Sequence, residues 1–371
     1  MELILKNIGM IKRARIKLHG LTVIAGENDT GKSTIGKVLM AMIKTDVIAR
    51  TKYLKKKKEL KIAGKELKEE NLKRYFFKNR KYGFNRLREL LFKDFLRTNA
   101  DLYELEEKEH YIKLSQDENK YLKVFFNRKK NEWEFSENSF DLDYKIPYKD
   151  ITYIQSPLIW DLQGFFNSIL QMKSQIELEE DIKFKFEYPY ILWDLYGKFV
   201  KKRIEYVSKF HRDIIKTITK DIINGEFVKK EGNIFVFRRK NIDIPLVNVA
   251  HGVKSFGILQ VLLENGYISR YGILVIDEPE VHLHPMWQIK YAEILVKLAK
   301  NNITILLQSH SPYMIEAIKR YSEIEGIEEK VNFYLADKGY IEYQETLESI
   351  FEKLAIPMRE LKKLKWEKYK N

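Results

Sequence analysis

The chain contains no cysteine, which excludes disulfides and thiolate metal sites and fits a reducing compartment. It contains no apolar run near the roughly 20 residues needed to cross a bilayer. The opening "MELILKNIGM" lacks a basic leader, a long apolar core and a small-residue cleavage site, so no signal peptide is expected. No membrane contact and a cytoplasmic location follow as expectations. Tandem repeats are absent, and no heptad pattern is long enough for an extended coiled coil.

What is present is ordinary in bulk and uneven in charge. The 371 residues suffice for one large domain, or two closely joined ones, with a buried core. At 44% hydrophobic and 32% charged, the chain is globular rather than disordered. Its net charge is +14. Residues 51–90 carry 15 Lys or Arg against 5 Asp or Glu, and residues 358–371 carry 6 against 2, which together account for the whole excess. Such blocks attract nucleic acid, an acidic partner or an anionic surface, or form a solvated helical face. No base-reading motif accompanies them.

Along the chain, "ELILKNIG" and "ARIKLHG" alternate with period two, and "LTVIAG" is a short buried run. "KSTIGKVLMAMIK" has helical spacing, with Ile35, Val38, Leu39 and Met42 on one face. These make a first core segment, 1–50. Residues 51–145 are lysine-rich and helical, then β-like in "YLKVFFNRKKNEWEFS", and read as a basic insertion. A strand returns within 146–157. Residues 158–225 predict a helical subdomain, in which the aromatics of "FEYPYILWDLYGKF" (186–199) pack as core. Residues 226–345 give hairpin-like strands, a helix from about Val253, and then strand, helix, strand, helix; 346–371 is a basic tail. Alternating strand and helix predicts an α/β fold with a mixed or parallel central sheet covered on both faces.

Three stretches carry chemistry. "GENDTGKS" follows the apolar run "LTVIA" and matches G-x-x-x-x-G-K-[ST] at Gly26, Gly31, Lys32 and Ser33. As a phosphate cradle, the loop of Gly26, Glu27, Asn28, Asp29, Thr30 and Gly31, with Thr34 behind it, would turn backbone N–H groups inward. Lys32 would reach the β- and γ-phosphates, Ser33 would ligate Mg²⁺, and the helix would add its positive dipole end. The bland alternative is a strand–turn–helix with convenient glycines. "ILVIDEPE" delivers Asp277 and Glu278 to the C-terminal end of a buried strand, the edge at which open α/β sheets bind ligands. Adjacent carboxylates there are costly unless a cation is near. Asp277 is expected to hold Mg²⁺ and Glu278 to polarise the attacking water. "LLQSHSP" ends a second such strand, and His310 is expected to reach the γ-phosphate or the lytic water. It follows by one helical crossover, which predicts that the two strands are neighbours. His282 and His284 do not have H-E-x-x-H spacing, so a zinc site is not expected.

Together these motifs resemble the ABC-type ATPase heads of the SMC, RecF and OLD families. "DEPEVHLHP" followed by "SHSPYMIEAI" looks especially like the OLD-type and related bacterial defence ATPases. The resemblance covers about 1–45 and 150–345. It implies an ABC-ATPase-like P-loop NTPase that binds ATP and Mg²⁺ and pairs head-to-tail as a homodimer or higher oligomer, with two ATP molecules between protomers. By the same resemblance, "NVAHGVKSF" is the signature segment, with Gly252 opening a helix toward the partner's γ-phosphate. The usual serine before the glycines is missing, and Lys254 and Ser255 stand in for it. This departure bears on trans-activation and predicts slow hydrolysis, while leaving ATP binding untouched. Gln155 resembles the Q-loop glutamine that contacts Mg²⁺ or the lytic water, and Glu280–His284 fall in the D-loop region.

The expected activity is ATP hydrolysis to ADP and phosphate, closing and opening a dimer. About 60 residues follow His310, too few for the TOPRIM nuclease domain of OLD nucleases, and no D-x-D signature occurs among them. A separate effector, such as a nuclease or toxin, is therefore expected, with this chain as the sensor or regulatory ATPase of a prokaryotic anti-phage defence system. One alternative is a RecF-like DNA-repair ATPase that binds duplex DNA through the basic segments. Another is a nucleotide-locked scaffold that barely hydrolyses.

Overall fold

A computed structural model of the chain describes residues 1–63, 69–93, 109–127, 129–136, 146–176, 189–203 and 207–363. Its centre is set by three short runs with no exposed residue: β3 (Leu21–Ala25), β11 (Gly272–Asp277) and β12 (Thr304–Ser309). Strands buried on both faces belong in the middle of a parallel sheet. They lie between β7 (Asp150–Ile154) and β13 (Val331–Asp337), in the parallel order β13-β3-β12-β11-β7. β11 and β12 are neighbours, as the one-helix crossover predicts.

Successive residues on these strands feed opposite cores. Val23, Leu274, Ile276, Ile305 and Leu307 face one cluster, together with α6 (His251–Glu264), α7 (Pro285–Lys300) and α8 (Pro312–Glu325). Ile24, Ile273, Val275 and Leu306 face the other, with Ile35, Val38, Leu39 and Met42 of α1 (Lys32–Ile62). The apolar face expected of that helix is the one that is buried.

Beyond β13 the sheet continues through β14 (Tyr340–Gln344), β2 (Ile11–Lys17), β1 (Glu2–Ile8), β4 (Tyr111–Ser115), β5 (Tyr121–Asn127) and β6 (Glu132–Phe135), giving eleven strands among the described residues. Apart from the parallel β14–β2 pair, this half is antiparallel. The described part of the expected basic insertion is continuous with the rest of the sheet and with α1. α1 runs unbroken past residue 50 to Ile62, and β4 pairs directly with β1, Ile112 opposite Leu5. The buried Asp46 of α1 holds Arg50 on its own helix and Arg80 on α2 (Glu69–Phe92), which joins the helical arm across the expected boundary.

The expected helical subdomain contains α3 (Gln163–Ile176), α4 (Tyr190–Val200) and α5 (Lys209–Lys216), the last continuing into a π-helical turn at Thr217–Ile222. In α4, Ile191, Leu195, Tyr196 and Phe199 are core, as the aromatic stretch predicts; residues 186–188 lie outside the described residues. The hairpin region forms a three-stranded antiparallel sheet, β8 (Glu226–Lys229), β9 (Phe235–Arg239) and β10 (Ile242–Pro245). The chain then ends in α9 (Glu348–Leu354) and α10 (Ile356–Lys363), and the rest of the basic tail lies outside the described residues. No described helix is long and apolar enough to cross a membrane.

Candidate functional site

The register of the sheet brings the three motifs to one edge. Ser309 is opposite Ala25, and Asp277 is opposite Gln308, so the segments after β3, β11 and β12 leave the sheet side by side. The loop after β3 needs its glycines. Gly31 has φ 88°, and a Cβ there would lie 2.8 Å from Ile11; a Cβ on Gly26 would lie 2.5 Å from the Ala336 carbonyl oxygen. The Thr30 hydroxyl donates to the Glu27 carbonyl at 2.9 Å and closes the turn. Lys32 is buried, and its ammonium donates to the carbonyls of Gly26 (2.9 Å) and Glu27 (2.6 Å). The lysine thus braces its own loop from inside, 3.6 Å from Glu278 Oε1.

Ser33 and Asp277 meet. The Ser33 hydroxyl donates to Asp277 Oδ1 at 3.2 Å, and the Tyr153 hydroxyl donates to Oδ2 at 2.9 Å. Burial pushes the Asp277 carboxyl above its usual range, and the hydrogen bonds from Tyr153 and Ser33 pull against that rise. A hydroxyl and a carboxylate are the hard oxygen donors that suit Mg²⁺, and neighbouring oxygens in its octahedral shell sit about 3 Å apart. The pair fits that ion.

Glu278 has a left-handed backbone, φ 46° and ψ 55°, rare for a residue with a side chain and typical of functional turns. The turn sets its carboxylate beside Lys32 and 3.5 Å from His310 Nδ1. Lys32, Ser33, Asp277, Glu278 and His310 therefore form one continuous cluster.

The remaining expected residues fall around it unevenly. Gln155 follows β7 at the level of Asp277, because Ile154 is opposite Ile276, and it is exposed. Glu27, Asn28 and Asp29 are exposed on the loop, and Thr34 is half-buried in the first turn of α1. Gly252 opens α6, where a Cβ would meet Trp287 at 3.1 Å. Lys254 and Ser255 do not present free side chains there. The buried Lys254 ammonium lies 2.5 Å from Asp161 Oδ1, and the Ser255 hydroxyl bonds back to the His251 carbonyl at 3.1 Å. Their helical phase turns them into the protein. His282 packs against the His251 ring, centroids 5.0 Å apart, and His284 Nδ1 caps α7 by accepting from the Met286 N–H. Among the described residues no group of three or more His, Asp or Glu is placed to hold a metal.

Two contacts of the cluster carry no local sequence signal. Tyr153 reads as one more core residue of an apolar strand, and its bond to Asp277 spans 124 positions. Glu280, in the expected D-loop region, is buried, and its Oε1 accepts from the Ser309 hydroxyl (2.8 Å) and the His310 N–H (2.6 Å).

Residues 1–315 match the family described as AAA ATPase domain. The chain belongs to this family. Among curated proteins, it is 28% identical over 125 residues to the Retron Vc95 probable ATPase of Vibrio cholerae, covering 30% of this chain and 23% of that protein. It is 34% identical over 73 residues to Septu protein PtuA of Bacillus thuringiensis, covering 19% and 18%. The chain thus spans less than a quarter of either relative. Among solved structures, the Smc head domain with an extended coiled coil, bound to the C-terminal domain of ScpA, from Pyrococcus furiosus aligns over 98% of this chain and 99% of that one, at 12% identity and a TM-score of 0.48. This AAA ATPase-domain chain carries the loop of Lys32 and the Asp277–Glu278 strand end inside the matched region.

Proposed function

We propose that the chain binds Mg·ATP at this edge and hydrolyses it as the regulatory ATPase of a defence system, controlling an effector on a separate chain. The observation that carries the chemistry is the meeting of Lys32, Ser33, Asp277, Glu278 and His310 around one small volume. Phosphoryl transfer to water asks the protein mainly for position and charge. Lys32 would exchange its carbonyl partners for phosphate oxygens. Ser33 and Asp277 would hold Mg²⁺, which neutralises phosphate charge when bound. Glu278 would orient the attacking water, and His310 would face the γ-phosphate. Gln155, at the same edge, would join that shell.

The defence role is supported by the two curated relatives, a retron ATPase and a Septu protein, over part of their lengths. The same reading includes a nucleotide-closed dimer, in which the Gly252 helix start of one protomer would face the nucleotide held by Lys32 and Asp277 of the other. Native mass with and without ATP tests the dimer. A mass that doubles with ATP supports it, and a mass unchanged by ATP or by the non-hydrolysing Glu278→Gln variant contradicts it.

A second reading, direct duplex binding, is favoured by one observation. Lys52, Lys55, Lys57, Lys58 and Lys61 are exposed on the α1 extension. Binding through phosphates would fall steeply with salt, with a slope set by the number contacted. A chain without such salt-dependent binding is not of this kind.

A further inference from the structure

We propose that Glu280 is a positioning residue for His310, fixing which ring nitrogen meets the nucleotide. The buried carboxylate does two things with one oxygen. Oε1 accepts from the Ser309 hydroxyl and the His310 N–H, which pins the main chain where β12 ends. The same oxygen lies 3.3 Å from His310 Nδ1, with Glu278 Oε1 3.5 Å away on that nitrogen. Nδ1 is buried and makes no hydrogen bond, its carboxylate neighbours standing at ion-pair distance, while the side chain as a whole is 40% exposed. The nitrogen left for an incoming phosphate is therefore Nε2.

A polar circuit holds Glu280 in turn. The Ser311 N–H donates to Ser309 Oγ at 3.1 Å, and the Ser311 hydroxyl donates to Gln288 Oε1 at 2.5 Å. Gln288 Nε2 returns to the carbonyls of Leu283 (2.9 Å) and Glu280 (3.5 Å). The circuit joins the turn after Glu278, the end of β12, the N-cap of α8 and the first turns of α7. A shift in any of them is passed to the imidazole. Glu280 Oε2 is buried without a hydrogen-bond partner, a costly state for an ionised group. A glutamine could still accept from Ser309 and His310, but it would bury an unpartnered NH2 where Oε2 now sits. What the carboxylate adds is negative charge facing Nδ1 and the absence of any donor that could turn toward the ring, as an amide NH2 could.

The inference rests on the ATPase reading and is tested by a double-mutant cycle of Glu280→Gln and His310→Ala. Two quantities are read in the full chain: single-turnover ATP hydrolysis, and the ratio of ADP to ATP dissociation constants. Alone, Glu280→Gln is expected to slow hydrolysis roughly 10- to 100-fold, by analogy with the outer partners of metal-bound histidines, and to lower the preference for ATP. In the His310→Ala background it is expected to change either quantity by less than about twofold, because its effect passes through the ring. If His310→Ala hydrolyses too slowly to follow, the affinity ratio completes the cycle. Additive losses would overturn the proposal and leave Glu280 a structural residue. A wild-type chain that does not bind ATP would overturn both the proposal and the reading beneath it.

Discussion

Replacing Asp150 with Asn tests how the sheet edge is anchored. Asp150 starts β7, the strand that carries Tyr153 and leads to Gln155, and it sits in a buried charge network. Lys44 of α1 lies 3.2 Å from it, Lys198 of α4 3.4 Å and Arg203 2.6 Å; Asp194 takes Lys44 at 2.5 Å and Lys198 at 3.1 Å. Burial alone would raise the Asp150 carboxyl, but Lys198, Lys44 and Arg203 outweigh it and hold it at about 2, below its ordinary 3.8. That fall corresponds to about 2 kcal/mol of folding stability. Because the folded value is the lower one, the contribution is complete above the unfolded pKa and is lost as pH falls toward the folded one. Roughly half is gone by about pH 3. Asp150→Asn also leaves three cations facing one carboxylate, so the total cost near neutrality is expected at about 3 kcal/mol. Urea unfolding of wild type and variant across this range, followed by tryptophan fluorescence, gives the difference at each pH. It should be largest near neutrality and shrink as the medium turns acid. A difference that stays constant with pH, or falls under about 1 kcal/mol at neutrality, refutes the network as the source.

Other expectations follow from single contacts. Gly31→Ala forces a Cβ onto a positive-φ position and against Ile11, and should cost roughly 1–3 kcal/mol; thermal unfolding and ATP titration should show both a lower midpoint and weaker binding. Tyr153→Phe removes one hydrogen bond from the Asp277 carboxylate, at about 1.5–3 kcal/mol for a charged acceptor. It should also raise the Mg²⁺ concentration needed for ATP binding, and unchanged Mg²⁺ dependence would mean that Tyr153 does not set Asp277. Neutralising Lys55, Lys57 and Lys58 together should lower the salt slope of any duplex binding by up to about three and leave ATP binding intact, as read by anisotropy.

The motif segments were legible because their signals are local. An apolar run followed by Gly31, Lys32 and Ser33, or by Asp277 and Glu278, states both the buried strand and the edge it reaches. Tyr153 and Glu280 carried no such signal, because their partners are distant in the chain and a strand tyrosine or a turn glutamate is ordinary by itself. Pairing of β4 with β1 was invisible for the same reason; antiparallel contacts across more than a hundred residues leave no pattern in either segment. The length of α1 was obscured by its lysines, which remove the apolar stripe that marks a helix while leaving helix propensity intact. Position in the motif suggests Lys254 as a stand-in for the missing serine, whereas its phase on α6 and its bond to Asp161 leave no mark in the sequence.

The central claim is that the loop of Lys32 and the strand end of Asp277 and Glu278 form one ATP site. Single-turnover measurement on Glu278→Gln, with radiolabelled ATP followed as bound nucleotide and as released phosphate, tests it most directly. The account predicts ATP retained at close to wild-type affinity and phosphate release slowed about 100-fold or more. Phosphate released at the wild-type rate, or ATP not bound by either protein, would contradict it.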